Sequence, residues 1–291
     1  MMRQKCKPLI LLCFMSLFFA FQAWAAPQDW PEVIRFGIVP SLGEGAETYY
    51  TPLIRYLTKQ LGIEVKPMIS KDYEGIISGM VYKQIDFAYF GPKSYVEAGE
   101  RCSLEALVLE LNKEGEAGYY GLIISRKGSD TDSFEKAKGR TFAFTDPNST
   151  SGYLVPSVMF ARDLAIDPKT YFKKVIFSGS HKDSILGVKN GTIEVAATNT
   201  LDLYRMEKNG EVSRNDFNIL QKSELIPGSP ICARTELPQS LKDAFQKAMI
   251  EFGAEDTSVL EKMQFGGYIK TDDKTYSIIR DLNRFKKELG K

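Results

Sequence analysis

The sequence predicts a two-lobed α/β protein, each lobe a sheet flanked by helices, with a ligand cleft between the lobes. Three observations predict it. From residue 34 to 91, short apolar runs and helical periods alternate as strand, helix, strand, helix, strand, which is the pattern of a parallel sheet with helices on its faces. The same order restarts at residue 141 and runs to 198. A faint internal echo marks equivalent places: Gln84-Ile-Asp-Phe-Ala-Tyr in the first unit, Thr192-Ile-Glu-Val-Ala-Ala in the second.

The elements justify themselves in order. Residues 1–25 read as an export signal: Arg3, Lys5 and Lys7 form a basic start, Leu9 to Phe21 an apolar stretch, and Ala23-Trp24-Ala25 a cleavage site. Ile34 to Val39 is a buried strand, and Thr48 to Leu61 a helix carrying Leu53, Ile54, Leu57 and Leu61 on one face and stopped by Gly62. Glu64 to Ile69 is the second strand. Asp72 caps a helix over Tyr73 to Lys83, Asp86 to Gly91 is the third strand, and Pro92 opens another helix at its first position. Leu104 to Leu111 and Tyr119 to Ser125 are further strands.

In the second unit, strands are expected at Thr141 to Thr145, Lys174 to Phe177 and Ile193 to Thr198. Helices are expected at Gly152 to Ala165, Lys182 to Lys189 and Leu201 to Lys208. Strands at Phe217 to Leu220 and Ile231 to Arg234 lead back to a helical C-terminus, Leu241 to Phe252 and about Tyr276 to Leu289. The expected division is a first lobe of residues 26–124 and 226–291 and a second of 125–225.

Charge narrows the function. Without the three basic residues of the signal, 35 basic residues face 37 acidic ones, which argues against a nucleic-acid partner. Cys102 and Cys232 remain after the signal, and an exported compartment permits a disulfide that the sequence leaves open. The sole histidine, His181, and two separated thiols offer no zinc set, and no Gly-x-Ser-x-Gly elbow is present. No enzyme activity, metal or cofactor is therefore expected. An exported, near-neutral protein with two facing α/β lobes reads as a solute-binding protein that closes on its ligand.

The candidate site is Asp146-Pro-Asn-Ser-Thr-Ser-Gly152, where a strand hands over to a helix. The first amides of a helix lack intrahelical partners and the dipole there is positive, so Ser149, Thr150 and Ser151 could hold an anion. By itself the tripeptide also fits an ordinary helix cap.

The stretch Asp146 to Pro156 resembles the phosphonate-binding proteins of bacterial ABC phosphonate/phosphite transporters. So do Asp72-Tyr-Glu-Gly-Ile-Ile77, Asp86-Phe-Ala-Tyr-Phe-Gly91, Ser180-His181 and Ile226-Pro-Gly-Ser-Pro230, in order from about Ile34 to Cys232. The resemblance implies the type II periplasmic binding protein fold, a periplasmic location with cleavage near Ala25, and binding of a phosphonate, phosphite or phosphate for delivery to a membrane permease. A monomer is expected. The alternative is a sensor that reports the same ligand to a membrane receptor. By resemblance, Ser149, Thr150, Ser151, Tyr73, Tyr119 and His181 reach the phosphonate oxygens, and neutral donors with a helix dipole would serve without an arginine. Two positions depart from members that take an aminoalkyl phosphonate: Leu201 and Ser229 stand where those carry carboxylates around the ammonium. A ligand with a small or uncharged substituent is therefore expected.

Overall fold

The computed structural model describes residues 27–43, 45–254 and 257–289; the expected signal segment lies outside the described residues. The first βαβαβ unit consists of β1 (Val33–Ile38), α1 (Ala46–Leu61), β2 (Glu64–Ile69), α2 (Tyr73–Val81) and β3 (Phe87–Tyr89). Next come α3 (Pro92–Gly99), β4 (Leu104–Leu111) and β5 (Gly118–Arg126). The second unit is β6 (Thr141–Phe144), α4 (150–163), α5 (Pro168–Tyr171), β7 (Lys174–Phe177), α6 (His181–Asn190) and β8 (Val195–Asn199). The chain ends with α7 (Thr200–Lys208), β9 (Phe217–Pro227), β10 (Pro230–Arg234), α8 (Gln239–Glu251), α9 (Ser258–Met263), β11 (Gly267–Lys270) and α10 (Ser277–Leu289).

The strands form two sheets, β11-β4-β10-β3-β1-β2 and β7-β6-β8-β5-β9. In each, the βαβαβ unit contributes three parallel strands with its first strand in the middle, so the echoed segments at β3 and β8 occupy equivalent places. The sheets are not parallel throughout, as the strand–helix alternation suggested. β10 runs antiparallel to β3 and β4, and β5 runs antiparallel to β8 and β9. These strands lie outside the crossover units, so no intervening helix restores their direction.

Two paired ribbons link the sheets. β4 continues through residues 112–117 into β5, and β9 continues through Gly228 and Ser229 into β10. The ribbons stay bonded where they cross, Gly228 N–H to the Ala117 carbonyl at 3.1 Å and Glu110 N–H to the Ser229 carbonyl at 3.0 Å. The boundaries expected at 124–125 and 225–226 fall inside β5 and β9, both of which belong entirely to the second sheet. β9 also extends beyond Leu220 to Pro227, through a polar run. It is an edge strand, and residues 221–225 are half-buried or exposed, so this part of it carries no apolar signature. The short elements α5, α9 and β11 had no periodicity to betray them.

Each sheet has its own core. Phe87 stacks on Phe245 of α8 at 3.9 Å in the first. Phe142, Phe144, Phe160 and Phe172 cluster on one face of the second. Cys102 and Cys232 are free thiols, so the open question of a bridge is answered by two unlinked cysteines.

Candidate functional site

β6 ends at Phe144, and Asp146 turns the chain by accepting the Asn148 N–H at 2.7 Å. Ser149 then caps α4, its Oγ accepting the Gly152 N–H at 3.0 Å. The helix begins with a wide turn, Leu154 N–H to the Ser149 carbonyl at 3.1 Å, and starts at Thr150 instead of the expected Gly152. Pro156 has no N–H to give the carbonyl four residues back, and that Gly152 carbonyl instead accepts the Thr145 N–H at 3.1 Å. The missing donor thus ties the first turn to the end of the strand. A Cβ on Gly152 would lie 1.7 Å from Thr145 Oγ1. Gly152→Ala is expected to destabilise the fold by about 1–3 kcal/mol through overpacking, despite alanine's better helix propensity. Urea unfolding measures it.

All six expected site residues line one cavity between the sheets, and all six are buried. Tyr73 opens α2, Tyr119 lies on β5, Ser149, Thr150 and Ser151 start α4, and His181 starts α6. Five helices turn their N-termini toward this space, since Tyr73, Gly91, Ser149, His181 and Asn199 stand at the starts of α2, α3, α4, α6 and α7. Their positive ends and first-turn amides favour an anion. The cavity measures about 20 Å³, above the roughly 10–15 Å³ that one water-sized group needs. A larger hollow of about 360 Å³ between α4, β9 and α10 touches none of the six residues.

The hydroxyls are oriented by what they accept. Thr150 Oγ1 accepts the Lys93 N–H of α3 at 2.8 Å, and Ser149 Oγ accepts from Gly152, which frees both protons to be donated elsewhere. The Thr150 bond joins the two sheets, capping a helix whose own N-cap, Gly91, has no side chain for the task. Tyr73 faces Ser149, while Tyr119 faces Ser151 and Thr150. Burial pushes both phenols far above their ordinary pKa, so they stay protonated donors. Burial pushes His181 below its usual value, against the pull of Asp202, so the ring is neutral at pH 7. Its Nε2 lies 3.1 Å from Ser149 Oγ and its Nδ1 3.2 Å from Thr198 Oγ1. Ser180 caps α6, its Oγ accepting the Asp183 N–H at 3.0 Å.

The sequence reading missed a charged network on the cavity wall, where neutral donors without an arginine were expected. Buried Arg205 of α7 lines the cavity. It pairs with Glu110 of β4 from the first sheet and with Asp202 Oδ1 at 3.4 Å, and its Nε donates to Tyr49 at 3.0 Å. Tyr89 donates to Glu110 at 2.6 Å. Burial raises the Glu110 pKa, opposed by the attraction of Arg205. Asp202 also accepts from Ser41 at 3.2 Å and from Asn199 Nδ2 at 2.8 Å. Leu201 and Ser229 face the same cavity.

A family model described as "ABC transporter, phosphonate, periplasmic substrate-binding protein" matches residues 36–276. The phosphonates-binding periplasmic protein of Escherichia coli is 30% identical over 274 residues, covering 91% of this chain and 80% of the relative. The binding protein component of an ABC phosphonate transporter from Pseudomonas aeruginosa superposes with a TM-score of 0.82 at 34% identity, covering 89% of this chain and 87% of that one. PhnD1 of Prochlorococcus marinus, solved with methylphosphonate, shares the fold at a TM-score of 0.77 and 22% identity, covering 87% of this chain and 98% of that one. The chain belongs to the phosphonate-type periplasmic substrate-binding proteins of ABC transporters.

Proposed function

We propose that this protein is the exported receptor of an ABC transporter for a small phosphorus oxyanion, released by cleavage near Ala25, and that it presents the anion to a membrane permease. Residues 27–111 and 230–289 act as one lobe and 118–227 as the other, hinged at the two ribbons. The observation that carries this reading is the buried cluster of hydroxyl donors at converging helix N-termini. Hydrogen bonds to a charged group contribute roughly 1.5–3 kcal/mol each, so a few of these donors suffice. Calorimetric titration with phosphate, phosphite, methylphosphonate and 2-aminoethylphosphonate tests it; binding of none of them would end the proposal.

Cross-lobe bonds from Lys93 to Thr150, Ser41 to Asp202 and Arg205 to Glu110 describe a closed form. Ligand is expected to reduce the radius of gyration in small-angle scattering as open molecules join it. Thr150→Val removes both the hydroxyl donor and the acceptor for Lys93. Ligand affinity is expected to fall by about 1–3 kcal/mol, roughly 5- to 150-fold. Unchanged affinity would reduce Thr150 to a helix residue.

A further inference from the structure

We infer that Asp202 restricts the site to oxyanions that still carry a proton, and that this proton bridges the ligand oxygen and the Asp202 carboxylate. The inference rests on the anion-binding reading above and adds which ionic form is taken. Asp202 sits in the first turn of α7, buried, on the wall of the same cavity as the hydroxyl donors. Its oxygens accept from Ser41, Asn199 and Arg205. A carboxylate has about four lone-pair sites, so one remains, and it can receive only a donor. A fully ionised oxyanion has none to offer.

The local charge gives the second argument. Arg205 is held between Glu110 and Asp202. These three side chains sum to zero if Glu110 is protonated and to one negative charge if it is not. Either way no positive side-chain charge is left over for a dianion. The remaining groups that face Asp202 are His181 from α6, Tyr73 from α2, Tyr119 from β5, and Tyr49 and Tyr50 from α1. Burial keeps the ring neutral and the phenols protonated. Further out, the Lys93 ammonium turns to Glu97 at 3.0 Å, and Asp146 accepts from the Asn148 and Tyr73 amides. The helix dipoles favour one negative charge, whereas a second beside a buried carboxylate is repelled. A proton between the two oxygens replaces that repulsion with a short, charge-assisted hydrogen bond.

The test is calorimetric titration of the signal-free protein with methylphosphonate and phosphite, in paired buffers of different ionisation enthalpy, between about pH 6 and about pH 9. Proton uptake should rise to about one per anion as pH passes the ligand's second ionisation, with affinity then falling about tenfold per pH unit. Sulfate, similar in shape but without a proton, should not compete. Asp202→Asn should abolish the uptake, bind more tightly than wild type at the alkaline end and admit sulfate, while Glu110→Gln should keep the uptake. Tight alkaline binding by wild type without proton uptake, or competition by sulfate, overturns the inference while leaving the transport reading intact. Loss of uptake in Glu110→Gln but not in Asp202→Asn would move the proton to Glu110 and overturn it too. If neither anion binds at any pH, the functional reading fails and takes the inference with it. If Asp202→Asn does not fold, uptake that persists in Glu110→Gln, together with exclusion of sulfate by wild type, decides.

Discussion

Arg205→Met is expected to cost about 3–5 kcal/mol, the range for breaking a buried ion pair by removing one partner. The methionine would leave Glu110 and Asp202, both buried, without the cation that pairs with each of them. Arg205 lies on α7, which packs on β5 and β8 of the second sheet, and Glu110 lies on β4 of the first, so where the cost appears is informative. If the lobes part without ligand, both carboxylates regain water in the open form and the unliganded protein loses little folding stability. The penalty then falls on closure, and affinity for methylphosphonate should drop by roughly a hundredfold or more. Urea unfolding with and without ligand separates the two. A protein that loses the full amount in both conditions would be closed at rest. The double variant Arg205→Met, Glu110→Gln should recover part of the loss, because removing both members of a buried pair is far less costly than removing one.

Selectivity against an ammonium is expected to be nearly as large. Leu201 and Ser229 stand on the cavity wall and present no carboxylate to a cationic tail. Asp202, the nearest alternative, accepts from Ser41, Asn199 and Arg205, and its last lone-pair site is taken by the proton of the bound oxyanion. An ammonium enclosed there would lose water without gaining a partner, at several kcal/mol. Wild type should therefore bind methylphosphonate at least roughly tenfold more tightly than 2-aminoethylphosphonate. Leu201→Glu with Ser229→Asp should reverse that order and also weaken bare phosphate, which two added carboxylates repel. Competitive titration reads both effects. A wild type that prefers the amine would mean the ammonium reaches Asp202 after all, and Asp202→Asn would show it.

Nearly every element was legible in the sequence, because local chemistry specifies it. Asp72, Ser180 and Asn199 each cap the helix that follows, Gly62 closes α1 with a positive φ of 66°, and Pro92 starts α3. The hydroxyl turn was legible for the same reason, since strand end, cap and first helical turn are contiguous. The charged network was only half visible. Asp202 and Arg205 are three apart on one helix and were bound to share a face. Glu105 and Glu110 are five apart on one strand, so one of them had to point inward. Nothing in the chain states that Glu110 meets Arg205, because that meeting depends on how two sheets are joined. The chain's own pattern of caps, periods and turns determined two α/β units and an anion-favouring turn. Tertiary structure alone decided the antiparallel strands, the crossing points of the ribbons, the two unlinked thiols and the carboxylate beside the donors. Local preferences act over a few residues, while a strand's direction and a buried pair's partner depend on which distant segment fills the neighbouring space.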